Sequence, residues 1–133
     1  MKQTDRKLYC RVASPYVDRP YSIGYSATIS APHMHAYALD NLSKHLKPDS
    51  RVLDVGSGSG YLTMCFARYL QLQSDESTGI IVGIEHHPKL VEFSIENLNS
   101  DDPKFLAEGK IKVNQLIKCM SLRYDFTTTL KFE

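Results

Sequence analysis

Long apolar runs are missing from this 133-residue chain. The longest, residues 80–84 with Gly83 inside it, falls far short of the roughly 20 residues that span a bilayer. The amino terminus, Met1-Lys2-Gln3-Thr4-Asp5-Arg6-Lys7, has no apolar stretch behind its charges, so neither membrane insertion nor the usual secretory signal is expected. Cysteine is sparse: Cys10, Cys65 and Cys119 are odd in number and far apart. That fits neither a disulfide framework nor a Cys-x-x-Cys metal site, and suggests reduced thiols in the cytosol. Charge of one sign is lacking too. The 16 basic and 15 acidic side chains leave a formal +1, and they are scattered, so neither nucleic acid nor an anionic membrane is an expected partner. With only 7 Gly and 6 Pro and no internal repeat, collagen-like and low-complexity organisation is excluded. What is present, 42% apolar and 23% charged residues, is the composition of a globular chain whose length fits one domain.

Residues 1–32 carry Pro15, Pro20 and Pro32 among Tyr9, Tyr16, Tyr21 and Tyr25, and read mainly as extended or irregular chain; only residues 2–9 suit a short helix. Pro32 suits a first helical turn with Ser30 near the N-cap, and Met34, Tyr37, Ala38, Leu42 and Leu46 then recur at helical spacing until Pro48-Asp49. Arg51-Val52-Leu53-Asp54-Val55 reads as a buried strand, Gly56-Ser57-Gly58-Ser59-Gly60 as a turn, and Leu62, Phe66, Ala67 and Leu70 as the face of a helix. Residues 71–79 read as a loop and 80–85 as a second strand. Pro88 opens a helix carrying Leu90, Val91, Ser94, Ile95 and Leu98, a short helix follows to Leu106, and residues 110–113 alternate like a third strand. Strands alternating with helices predict an α/β fold with a parallel sheet. Residues 122–132 are rich in strand formers and are expected to supply a further strand.

A glycine turn between strand and helix lets backbone approach a ligand, and the helix start adds unpaired N–H groups. The dinucleotide fingerprint Gly-x-Gly-x-x-Gly is not met: the third glycine comes one residue early, at Gly60, and Tyr61 holds the place of the last. Asp54, two residues before Gly56, would repel a phosphate and suits a ligand bearing ammonium or sulfonium charge. Glu85 ends the second strand 25 residues after Gly60, near the spacing at which an acid grips both hydroxyls of a ribose. Together they describe S-adenosyl-L-methionine and disfavour a nicotinamide-dependent oxidoreductase. The plain structural alternative makes the glycines a tight turn, Asp54 a cap and Glu85 a solvated strand end. His33 and His35 point to different faces of their helix and His86-His87 are adjacent, so no metal site is expected. Cys65 reads as a small core residue, and Lys44, Lys47 and Arg51 as solvated surface.

The segments Asp54-Val-Gly-Ser-Gly-Ser-Gly60, Ile84-Glu85-His86 and Ala27-Thr-Ile-Ser-Ala-Pro-His-Met-His35 resemble the protein-L-isoaspartate (D-aspartate) O-methyltransferases. Thr4-Asp5-Arg6 and Pro15-Tyr16 resemble the same family's segment ahead of these motifs. The resemblance implies a Rossmann-like class I methyltransferase fold with a doubly wound, mostly parallel sheet, and methylation of L-isoaspartyl or D-aspartyl carboxylates in damaged proteins by a monomeric cytosolic enzyme. It implies Ser30 as the active-site residue and Ala27, Thr28, Ile29, Ser30, His35, Asp54, Gly56, Ser57, Gly58, Gly60, Glu85 and His86 around the cofactor.

The chain departs from the family's pattern after Val113, where Asn114-Gln115-Leu116-Ile117 stands in place of an acid and a glycine that contact adenine. The expectation is therefore a single domain, 1–133, short at both ends: residues 1–32 covering cofactor and substrate, 33–113 forming the first half of the sheet, and 114–133 a divergent tail. That tail is expected to pair beside Arg51-Val55. The competing expectation is a remnant without catalysis that binds cofactor or peptide weakly, or does not fold stably.

Overall fold

The computed structural model describes residues 1–74 and 76–116. Asp5 accepts from the backbone N–H of Lys7 and caps a one-turn helix, α1 (Arg6–Tyr9). Within the segment expected to be irregular lies an antiparallel hairpin, β1 (Tyr21–Gly24) and β2 (Ala27–Ile29), with Ser22 opposite Thr28. Its turn sets Tyr25 and Ser26 at φ 52° and 58°, the backbone of a type I′ turn, which carries the twist that two flanking strands need.

Helix α2 (Pro32–Leu42) starts on proline as expected, but its N-cap is Ala31, with no side-chain cap, and it stops four residues before Leu46. Ser30 is therefore not a cap. The strand, turn and helix read from the glycine motif appear as β3 (Arg51–Val55) and α3 (Tyr61–Gln73). They are followed by β4 (Ile80–Glu85), α4 (Pro88–Asp101) and the short α5 (Lys104–Ala107). β5 (Ile111–Gln115) runs two residues beyond the expected end, because Asn114 and Gln115 stay in register with Ile84 and Glu85.

β3, β4 and β5 form a parallel sheet in that order, with Asp54 opposite Gly83, and α3 and α4 are the crossovers that parallel pairing requires. Over the described residues the architecture is α/β and Rossmann-like, with three parallel strands of the doubly wound type. Phe66, Met64 and Leu70 of α3, Ile81 of β4, Leu98 of α4 and Ile111 of β5 are buried together, with Val52 beneath them. The amino-terminal segment is tied on from outside. Tyr9 donates its hydroxyl to Asp101 at 2.6 Å, and Arg68 forks onto the same carboxylate at 2.9 and 3.1 Å. Among the described residues β3 pairs with β4 alone; the strand expected beside it, over residues 122–132, lies outside the described residues.

Candidate functional site

Because β3 and β4 are parallel and in register, both end at one edge of the sheet, and the turn after β3 falls on the end of β4. The N–H groups of Gly56 and Ser57 both donate to the Ile84 carbonyl, at 2.9 and 3.1 Å. Gly83 makes room for this turn: a Cβ there would lie 3.0 Å from Ser57 Cβ. Gly60, at φ 85°, starts α3, and a Cβ on it would meet Leu98 and Ser94 of α4 at 3.3 Å. Asn97 of α4 donates to the Ser59 carbonyl at 3.1 Å. On the other side Ile23 of the hairpin comes within 3.4 Å of where a Gly58 Cβ would stand. The turn is thus held between α4 and the hairpin.

Above it opens a cleft of about 220 Å³ lined by Thr28 and Ile29 of β2 and Ser30 just after it, Met34, His35 and Ala38 from α2, residues 54–59, and Tyr61 and Leu62 from α3. Asp54 lies at its base, 3% exposed, and accepts from the Thr63 hydroxyl at 2.6 Å. Burial pushes its carboxyl upward; the Thr63 hydrogen bond opposes this, and the nearby Glu85 charge adds to it. His35 is buried beside Tyr61, ring centroids 4.8 Å apart, and burial together with the Arg6 charge pushes its imidazole down to about 4. His35 Nδ1 and Ser57 Oγ are both buried without a hydrogen-bond partner, which in a folded protein calls for a ligand or another explanation.

Of the residues singled out in the sequence, Thr28, Ile29, Ser30, His35, Asp54, Gly56, Ser57 and Gly58 come together on this cleft. Ala27, Gly60, Glu85 and His86 are not in its lining. Gly60 serves the packing of α3 on α4. Glu85 is not a solvated strand end: it is 4% exposed and sits under the turn, where its carboxylate accepts from the N–H groups of Gly58 (3.1 Å), His86 (2.7 Å) and His87 (3.2 Å). His86 points outward, its side chain 78% exposed, with Nδ1 2.8 Å from Glu85. Sequence reasoning missed Tyr61, Asn97 and Arg6 as parts of the surroundings. Tyr61 had a signal, its place at the fingerprint's last glycine; Asn97 had none, since its role exists only once α4 packs on the turn.

Cys65 is a core residue, 2% exposed, and its thiol is pushed up by burial. His33 pairs with Asp18 on the surface at 2.9 Å, and among the described residues no cluster could hold a metal ion. A larger depression of about 600 Å³, at Gln3, Arg68 and residues 71–74, has none of the turn's features.

A family model for protein-L-isoaspartate(D-aspartate) O-methyltransferase matches residues 1–119. Protein-L-isoaspartate O-methyltransferase 1 of Arabidopsis thaliana is 49% identical over 116 residues, covering 86% of this chain and 48% of its own length. The Caenorhabditis elegans protein-L-isoaspartate O-methyltransferase is 49% identical over 111 residues, covering 84% and 47%. A Plasmodium falciparum crystal structure described as a protein-L-isoaspartate O-methyltransferase, in complex with S-adenosyl-L-homocysteine, superposes with a TM-score of 0.80 at 43% identity, covering 86% of this chain and 52% of that one. The chain spans about half the length of these relatives.

Proposed function

The chain belongs to the protein-L-isoaspartate(D-aspartate) O-methyltransferase family, and from that premise we propose that it takes part in methyl transfer from S-adenosyl-L-methionine to the free carboxylate of L-isoaspartyl or D-aspartyl residues, a repair step on damaged proteins. The observation that carries the reading is the meeting of residues 28–30 with residues 54–59 across one cleft, two segments far apart in sequence that carry the two halves of the motif.

The residues present suit the cofactor. Ser57 and His35 line the cleft, with Ser57 Oγ and His35 Nδ1 buried and unpartnered, and the buried Asp54 offers a carboxylate to an ammonium group. Asp54, the glycine turn, Thr28, Ile29 and His35 would hold the cofactor, with Ala27, Gly60, Glu85 and His86 supporting the turn and its rim. When bound, the cofactor supplies an electrophilic methyl group on sulfur. Ser30, half-buried on the cleft and not used as a helix cap, orients one oxygen of the accepting carboxylate and leaves the other free to attack. No general base is needed, because a carboxylate is already ionised at neutral pH. His35, held neutral, adds no charge that would quench that carboxylate. Alignment is then the main contribution, and proximity alone can lower a barrier by several kcal/mol.

We assign residues 1–32 to covering cofactor and substrate, 33–113 to the sheet that seats the cofactor, and the protein to the cytosol as a monomer acting on isoaspartyl proteins and peptides. Cys10 and Cys65, both free and buried, support a reducing compartment, and among the described residues no helix is long and apolar enough to cross a membrane. The test is incubation of the purified chain with labelled S-adenosyl-L-methionine and an isoaspartyl peptide, with the aspartyl peptide and Asp54→Ala as controls. Label is expected in the isoaspartyl peptide only; transfer no higher than with Asp54→Ala overturns catalysis, and saturable binding without transfer leaves a cofactor-binding module.

A further inference from the structure

The hairpin β1–β2 is fixed at its base and docked at its tip. At the base, Ile29 is 4% exposed within the core, and the Tyr21 hydroxyl donates to the Ser14 carbonyl at 2.8 Å. At the tip, Tyr25 lies against His87, with ring centroids 4.4 Å apart and planes 33° from parallel. Between these two points Ile23 rests on the glycine turn, its Cδ1 3.4 Å from where a Gly58 Cβ would stand, and Thr28 and Ile29 line the cleft.

Tyr25 is 52% exposed and sits at φ 52°, a left-handed backbone that bulky side chains rarely adopt. Core packing does not hold it there, and such a conformation persists where a specific contact over-determines it. His87 is built to receive the ring. Its N–H donates to the Glu85 carboxylate at 3.2 Å, its carbonyl accepts from Leu90 N–H at 3.0 Å, and its Nδ1 accepts from Lys89 N–H at 3.3 Å. The imidazole that caps α4 is therefore held in one orientation. One ring is fixed at the rim of the sheet; the other ends a two-stranded ribbon that would be marginal alone.

We propose that Tyr25 and His87 are positioning residues that act as a latch. Their contact holds β1–β2 down across the glycine turn, sets Thr28, Ile29 and Ser30 against residues 54–59, and breaks each time a ligand enters or leaves the cleft. The latch stands on this geometry; the ligand it admits, S-adenosyl-L-methionine, rests on the methyltransferase reading. An aromatic pair shifts a docking equilibrium by roughly 2- to 12-fold, so with the Ile23 contact the hairpin is docked most of the time and lifted in a minority of molecules. Such a gate has a kinetic signature. The same opening admits and releases the ligand, so a weaker latch raises kon and koff by one factor and leaves Kd unchanged, whereas a lost ligand contact acts on koff alone.

Hydrogen exchange reads the latch with no ligand. In Tyr25→Ala the ladder amides of β1 and β2 are expected to exchange roughly 2- to 12-fold faster, while the amide of Ile81, which donates to the Lys110 carbonyl at 2.8 Å, is unchanged. Tyr25→Phe should keep the wild-type rates, because the ring and not the hydroxyl makes the contact. Since Tyr25→Ala also alters the turn, His87→Asn removes the other ring and keeps an N-cap acceptor for Lys89. It should match Tyr25→Ala, and the double variant should add nothing further, as both lose one shared contact. Unchanged exchange in either single variant, or effects that multiply in the double, overturns the latch. Stopped-flow binding of S-adenosyl-L-methionine then reads the gate: in Tyr25→Ala, kon and koff are expected to rise together by roughly 2- to 12-fold at constant Kd. Unchanged rates, or a rise in koff alone, overturn the gate. Failure of wild type to bind S-adenosyl-L-methionine, with the exchange result intact, strikes the methyltransferase reading and leaves the latch standing.

Discussion

Replacing Asp54 by Asn separates what the cleft needs for binding from what the fold needs for stability. Asp54 is 3% exposed and has one hydrogen-bond donor, the Thr63 hydroxyl at 2.6 Å; Asn keeps an oxygen for that donor and removes the buried charge. Burial pushes the folded-state carboxyl above its ordinary value of 3.8, so the folded chain holds this proton more tightly than the unfolded one. Stability attributable to Asp54 is therefore full below that ordinary value and falls as pH rises from it to the raised value. The loss amounts to about 1.4 kcal/mol per pH unit while it lasts. Asp54→Asn escapes the loss. Its melting temperature is expected to match wild type near pH 4 and to exceed it by a margin that grows until the raised value is passed and stays constant above it, by roughly 2–8 °C for each kcal/mol. Affinity for S-adenosyl-L-methionine moves the other way: losing one charge-assisted hydrogen bond of about 1.5–3 kcal/mol weakens binding roughly 10- to 150-fold. Calorimetric melting from pH 4 to 8 and titration calorimetry at pH 7.5 give both numbers. A stability gap that does not change with pH, or unchanged cofactor affinity, would refute the reasoning.

Three further substitutions address the support of the cleft. Glu85→Gln sets an amide donor against at least one of the N–H groups of Gly58, His86 and His87; a loss of about 1.5–3 kcal/mol in urea unfolding is expected, with weaker cofactor binding. Gly83→Ala drives a methyl to 3.0 Å from Ser57 Cβ and should cost about 1–3 kcal/mol. Adding Ser57→Gly should recover most of that, and a double variant no more stable than Gly83→Ala alone would show that the clash lies elsewhere. Asp101→Asn weakens the hold on Arg68 and on the Tyr9 hydroxyl at one carboxylate whose side chain is 7% exposed; about 3–5 kcal/mol should be lost in the same unfolding assay, and limited proteolysis should then cut first within residues 1–20.

The strand, turn and helix around the glycines were legible because each is a local pattern: an apolar pentapeptide, clustered glycine, then helical spacing. The hairpin was not. Its strands are four and three residues long, and its turn places Tyr25 and Ser26 where Asn-Gly would announce a type I′ geometry. Ser30 looked like a cap because Pro32 follows it at the right distance, whereas the helix opens on Ala31 with no side-chain cap at all. Glu85 was correctly placed at a strand end. Its burial beneath the turn was hidden, since that depends on the parallel register of β3 and β4. Arg6 gave no sign of burial, because a charged residue in a polar heptapeptide reads as solvated until α1 is seen packed on α4 and α3.

The hairpin β1–β2 and the sheet β3–β4–β5 share no ladder hydrogen bonds, so the cleft is a seam between two separately knitted fabrics. A two-stranded ribbon is marginal by itself and opens more readily than a three-stranded parallel sheet packed on helices. Amide protons at Thr28 and Ile29 should then exchange with solvent well before those of Val52 and Ile81, through openings that leave the larger sheet intact. A molecule stitched into the seam joins the two fabrics, and its binding energy is felt first as slower exchange in the hairpin.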